Sequence, residues 1–272
     1  MPRFRTSDGL SLHYEDAGAG LPVLCLSGLT RTGADFDYVA PHLDDCRLIR
    51  LDYRGRGQSD WDPNWQNYAL PVEGRDALEL LDHLGLERAA IIGTSRGGLI
   101  AMGLASTHHD RLLGVALNDV GPELDPTGLA VIMTYLGKKP VARNHAEVAE
   151  ALAHVMTDFD DVPASRWMEE AKKHFVISDN GLDITYDPAL RDAVAVGGEM
   201  PDLWPFFDAL EGLPLAAFRG VNSSLLSVAT FDKMKVRRPD MIAAEVAGRG
   251  HVPFLDEAEA VAGLHKWIEA MT

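Results

Sequence analysis

Apolar positions along this chain fall into two rhythms. Short, nearly continuous apolar runs at 22–28, 89–93 and 112–119 predict buried strands, since a strand covered on both faces shows no polar side. Further strands are expected at 10–16 and 46–53. Between them lie stretches with helical spacing: 34–43, 73–86 with apolar residues at 77, 80, 81 and 84, and 97–106. Strands alternating with helices predict an α/β fold, a mostly parallel central sheet with helices on both faces. The alternation stops after residue 121. Segments 128–138, 145–156 and 165–175 read as helices, and 178–188 as a turn-rich piece. Strands at 213–220 and 241–248, with helices near 228–236 and from 256, then restore the pattern. The expected organisation is a sheet domain of residues 1–121 and 206–272, interrupted by a helical insertion at 122–205.

Composition narrows the partners rather than the fold. Twenty-five Lys and Arg against 41 Asp and Glu give a net charge of −16, which weighs against nucleic acid and anionic membrane surfaces. The two cysteines, Cys25 and Cys46, cannot build a disulfide framework, and Cys25 lies in an apolar run that reads as core. The first residues lack an apolar leader, and no run reaches the ~18 apolar residues of a membrane span, so a cytoplasmic protein is expected. No HExxH or Cys/His cluster points to a metal, and Arg54-Gly55-Arg56-Gly57 lacks the lysine of a phosphate loop. No cofactor is expected. The oligomeric state is left open.

Chemistry concentrates in "AAIIGTSRGGLIAMGLA", residues 89–105. Ser95 stands where a strand turns sharply into a helix. Gly93 and Gly97, two before and two after, leave room for the neighbouring strand and helix. Such a turn lifts the hydroxyl to the sheet edge, beside free N–H groups at a helix N-terminus. That place suits an alkoxide and the oxyanion it creates. Gly93-Thr94-Ser95-Arg96-Gly97 fits the G-x-S-x-G nucleophile elbow in the strand-turn-helix context the motif requires. A serine that merely caps the helix would not explain glycine on both sides.

At this point the chain resembles the α/β-hydrolase family, over nearly its whole length. "LCLSGLTRTGADF" is similar to the family's oxyanion loop after the third strand, and "LDYRGRGQSD" to its Asp-x-Arg-Gly-x-Gly-x-Ser loop. "LNDVGPEL", "LPLAAFRGVNSSLLS" and "VAGRGHVPFLDE" are similar to its later strand ends, and 122–205 sits where relatives carry a helical cap. The resemblance implies a serine hydrolase.

A serine needs a base. His83, His154 and His174 fall in helical patterns, and His108-His109 ends a helix. His251 follows the last predicted strand in a glycine-bearing loop, the place of the family's base. The oxyanion donors implied are the N–H of Arg96, after the nucleophile, and of Leu29, by match to the family's loop. The Arg96 side chain either fixes the elbow by an ion pair, the favoured reading, or helps meet a substrate. The acid is ambiguous. Relatives commonly carry an aspartate after the seventh strand, where this chain has Ser224. Asp119, at the end of the sixth, could replace it, as in haloalkane dehalogenases, or could only cap the turn there. Asp232 falls inside a predicted helix and is the poorer candidate. Met133, Tyr135, Trp167, Phe175 and Trp204 of the insertion either line an acyl pocket or form its core.

These readings define a cofactor-free serine hydrolase acting on a carboxylic ester or lactone of small size. A carbon–carbon bond hydrolase or thioesterase would use a similar site. Ser224 also motivates a rival, a ligand-binding or sensing protein that has lost turnover.

Overall fold

The apolar runs form β1 (Arg3–Arg5), β2 (Ser11–Gly18), β3 (Leu21–Leu26), β4 (Cys46–Leu51), β5 (Ala89–Thr94), β6 (Leu112–Asn118), a hairpin of β7 (Phe175–Ser178) and β8 (Gly181–Ile184), then β9 (Leu215–Gly220) and β10 (Ile242–Val246). The computed structural model describes residues 2–179, 181–196 and 201–272; Asn180 and residues 197–200 of the predicted insertion lie outside it. Eight strands make one sheet in the order β1-β2-β4-β3-β5-β6-β9-β10. β2 is antiparallel to β1 and β4, and the remaining pairs are parallel.

Helices α1 (Leu70–His83) and α2 (Arg96–Thr107) bridge the central strands. Within 122–205 lie α3 (Pro126–Tyr135), α4 (His145–Val155), α5 (Ala164–His174) and α6 (Leu190–Val196), and α7 (Trp204–Asp208) runs across the expected boundary at 205. α8 (Val228–Arg237) and α9 (Ala258–Glu269) complete the chain. Side-chain alternation gives the sheet two cores. Leu24, Leu26, Ile91 and Leu117 pack with Leu80 of α1, Ile100 of α2 and Phe231 of α8. Val23, Cys25, Ile92 and Phe218 meet Leu264 and Trp267 of α9. Each such buried side chain contributes roughly 1.5–3 kcal/mol over exposure. Burial pushes the Cys25 thiol up to about 12, so it is inert packing.

The insertion has small cores of its own. Leu136, Ile184 and Leu190 close over Tyr68 of the sheet domain, and Val148, Ala171 and Leu182 pack around Trp167. Arg166 of α5 bonds Asp256 at 2.5 Å, with its guanidinium 3.7 Å above the Tyr38 ring and 4.7 Å from that of Phe254. The insertion thereby rests on the loop after β10.

Three elements depart from the expected ones. Segment 34–43 forms two 3-10 turns, Gly33–Asp37 and Ala40–His42, with Pro41 opening the second rather than allowing one helix. The turn-rich piece carries the β8 strand of a hairpin, and Phe175, expected to end a helix, begins its β7 partner. These strands have four residues each, too short for alternation to register. The edge strand β1 has only one buried residue, Phe4, and so no periodic signal.

Candidate active site

β5 ends at Thr94 and α2 starts at Arg96, so Ser95 alone makes the turn. Its backbone sits at φ 49 and ψ −111, a strained conformation for a residue with a side chain. The crowding is measurable. A Cβ added to Gly97 would lie 2.0 Å from the Leu26 carbonyl oxygen, and one on Gly93 would lie 2.6 Å from the Gly97 carbonyl. Gly98 is equally confined, with Val120 Cγ1 at 2.4 Å. Two backbone bonds pin the bend: Ser95 N–H to the Asn118 carbonyl at 3.0 Å, and Gly97 N–H to the Ser27 carbonyl at 3.1 Å.

Strand ends deliver two further groups. His251 lies in the loop between β10 and α9, and its Nε2 is 3.0 Å from Ser95 Oγ. Its Nδ1 is 2.7 Å from Asp119 Oδ2. A carboxylate only accepts, so Nδ1 carries the proton and Nε2 is left to accept from the serine hydroxyl. Asp119, just past β6 at φ 54, is fully buried. The Gly220 N–H donates to its Oδ1 at 2.8 Å and the Ser223 hydroxyl to its Oδ2 at 2.6 Å. These bonds fix the position of the carboxylate against the imidazole.

Ser224 is exposed, and among the described hydrogen bonds its hydroxyl has none to His251. The loop after β9 reaches the site through Ser223 instead, supporting Asp119 from outside. Asp232 is on the surface of α8, paired with Lys235 at 2.6 Å. Glu257, given no role in the sequence reading, organises the histidine loop: it accepts the N–H groups of Phe254 at 3.1 Å and Leu255 at 2.9 Å, and Arg249 Nε at 2.8 Å. Both Ser223 and Glu257 lie in stretches that carry the family resemblance, but nothing in those stretches assigns them a role.

Leu29 lies in the loop after β3. Gly28 beside it comes so near the elbow that an added Cβ would be 4.0 Å from Ser95 Cβ. Among the described hydrogen bonds the N–H groups of Leu29 and Arg96 have no acceptor. The Arg96 side chain turns from the site. Its Nε donates to Glu73 at 2.6 Å and its Nη2 to the Tyr68 carbonyl at 3.0 Å. Of the insertion's large side chains, Trp167 is buried against Phe159, and Trp204 packs edge-on against Phe207 while donating to Glu123. Those two are structural. Met133 and Phe175 pack partly buried against the insertion's cores, and Tyr135 is half exposed. Among the described residues no group of His, Cys, Asp or Glu could hold a metal, and no helix is long and apolar enough to cross a membrane.

A serine–histidine–aspartate array on strand ends of a mostly parallel sheet, its aspartate buried, points to a class, and comparison agrees with it. The chain belongs to the α/β hydrolase fold family, whose profile matches residues 22–164. It is similar to the 3-hydroxybutyrate-oligomer hydrolase of Cupriavidus necator, at 36% identity over 251 residues, 87% of this chain and 85% of that one. It is also similar to the crystal structure of an α/β hydrolase from Novosphingobium aromaticivorans, with TM-score 0.92 and 36% identity, covering 98% of this chain and 97% of the other. A shorter likeness, 35% over 109 residues, 40% of this chain and 38% of the relative, is to haloalkane dehalogenase 2 of Mycobacterium tuberculosis. By their names, these relatives hydrolyse more than one kind of bond.

Proposed function

We propose that this hydrolase cleaves carboxylic esters through an acyl-enzyme on Ser95, with short oligomers of hydroxy acids as the first substrates to test. The carrying observation is the relay in which Ser95 Oγ is 3.0 Å from His251 Nε2 and His251 Nδ1 is 2.7 Å from buried Asp119. His251 takes the proton as Ser95 Oγ attacks the carbonyl carbon, and Asp119 stabilises the imidazolium that forms. The N–H groups of Leu29 and Arg96 receive the oxyanion. His251 then protonates the departing alkoxide. Water, deprotonated by the same imidazole, attacks the acyl carbon and frees Ser95.

Two features support this reading over its neighbours. Displacing halide or opening an epoxide by covalent catalysis calls for a carboxylate nucleophile at the elbow, and this chain has a hydroxyl there. Ser224 motivates a protein without turnover, and the contact between Asp119 and His251 weighs against that rival. The likeness to a 3-hydroxybutyrate-oligomer hydrolase favours esters whose acid and alcohol parts are both small.

The test offers 3-hydroxybutyrate dimer and trimer, p-nitrophenyl butyrate and a butyryl thioester to the purified chain, with a fluorophosphonate probe in parallel. The expected result is turnover of the oligomers and the aryl ester, with the phosphonate adduct on Ser95 and neither in Ser95→Ala. A chain that is not labelled and turns over none of these overturns the serine mechanism. Turnover of the thioester alone overturns the substrate class.

A further inference from the structure

Both proposed oxyanion donors trace back to one buried carboxylate. Glu73, in the first turn of α1, is fully buried, and its two oxygens point to different partners. Oε2 accepts from Arg96 Nε at 2.6 Å, on the residue after the nucleophile. Oε1 accepts from Arg56 Nη1 at 2.6 Å, and Arg56 Nε in turn donates to the Leu29 carbonyl at 2.9 Å. Arg56 is itself fully buried, with its guanidinium 5.4 and 5.5 Å from the ring centres of Tyr53 and Tyr68. The loop after β3 and the elbow after β5, already tied by the Gly97 N–H bond to the Ser27 carbonyl, are thus joined a second time by a buried side-chain bridge, Leu29–Arg56–Glu73–Arg96.

We propose that Glu73 is a positioning residue that holds the two halves of the oxyanion hole in register through Arg56 and Arg96. This rests on the reading of Ser95 as nucleophile and of Leu29 and Arg96 as N–H donors. An oxyanion hole works only if its donors, carried by separate loops, stay fixed on one small volume. A displacement of about 1 Å costs roughly 10²-fold. The bridge supplies that fixity, because a guanidinium–carboxylate pair is directional and its three members have little freedom. Its charge also matters. Two guanidinium groups against one carboxylate leave an excess positive charge, and Arg56 Nη2 has no acceptor among the described residues. Positive charge in a buried setting beneath the donors favours a developing oxyanion. Stability alone is a poor reason for the arrangement, since buried ion pairs are often matched by apolar residues of the same volume.

Glu73→Gln, which keeps the shape and removes the charge, is the test. Active sites are counted by fluorophosphonate titration, so that each rate refers to folded, reactive protein. For p-nitrophenyl butyrate, kcat per titrated site falls about tenfold to a hundredfold while KM stays near the wild-type value. The affinity for a boronic acid, which mimics the tetrahedral intermediate, falls by the same factor as kcat/KM. A purely structural carboxylate would lower the count of active sites and leave kcat per site and boronate affinity unchanged; that result overturns the proposal. If Glu73→Gln does not fold, Arg96→Gln cuts one arm of the bridge at a partly accessible side chain. It gives the same fall in kcat per site, and an unchanged value again overturns the proposal. Wild-type protein that neither labels nor turns over ester removes the parent reading and this one together. Active wild type with unaffected variants removes this one alone.

Discussion

Asp119 and Ser224 compete for one role, and the structure places only the first against His251. The reason is local. The carboxylate is turned inward by the Gly220 N–H and the Ser223 hydroxyl, while Ser224 faces solvent one residue on. Asp119→Asn presents a carboxamide that stabilises no imidazolium and favours the wrong tautomer. It lowers kcat by about 10⁴-fold in an ester assay. Ser224→Asp leaves kcat within about twofold, because the position His251 would need is already filled; a large gain would show that the acid is misassigned. Ser95 bears a second cost. Its φ of 49 stores roughly 1–3 kcal/mol of backbone strain, and glycine, although it loses about 0.5–1 kcal/mol in chain entropy, escapes that strain. Ser95→Gly therefore abolishes turnover yet raises stability by about 1 kcal/mol in urea unfolding. A destabilised Ser95→Gly would mean that the turn is not strained.

The elbow as an element was legible in the sequence because its chemistry and its sterics are written within five residues. Glycine is demanded at 97 by the Leu26 carbonyl, a backbone atom that cannot give way. Gly97→Ala pushes β3 and α2 apart and costs about 3 kcal/mol or more, read as a lower urea midpoint with an unchanged slope. A cost under 1 kcal/mol would deny the close approach. Other parts were not legible, for a physical reason. Ser223 and Glu73 act through hydrogen bonds to residues brought near by the fold, and Glu257 through contacts inside one irregular loop; no periodicity records either kind. Asp119 was legible only as one of two strand-end candidates, because a short apolar strand followed by an acidic residue reads alike whether the acid caps a turn or meets a histidine. The alternation of strands and helices was legible through the continuous burial of β3, β5 and β6. The four-residue strands of the insertion left no such trace.

At the scale of the whole molecule, charged contacts as well as apolar packing join the 122–205 segment to the sheet. Glu170 of α5 accepts from Arg31 Nη1 at 3.0 Å and from the Tyr38 hydroxyl at 2.9 Å, both on the segment between β3 and β4, with His174 Nε2 also at 3.0 Å. Burial by itself raises the Glu170 carboxyl, but His174 and Arg31 outweigh it and hold the group well below the usual carboxylate range. The sign follows from linkage. A carboxyl depressed in the fold binds protons more readily when unfolded, near its ordinary value of about 4.3. Its contribution is therefore complete above that value and is lost as the pH falls toward the folded one. Glu170→Gln removes the contribution and leaves Arg31 with Asp35, at 3.5 Å, as its remaining carboxylate partner among the described residues. At pH 7 it destabilises by about 2 kcal/mol or more. The gap from wild type narrows as pH falls from about 5 to 3, because the wild type then loses what the variant already lacks. The net charge of −16 does not confuse the comparison, since its relief on acidification acts on both chains almost equally. Urea unfolding of the two proteins across that range reads the gap directly, and a gap constant from pH 7 to 3 would mean that Glu170 is not the ionised tie between insertion and sheet.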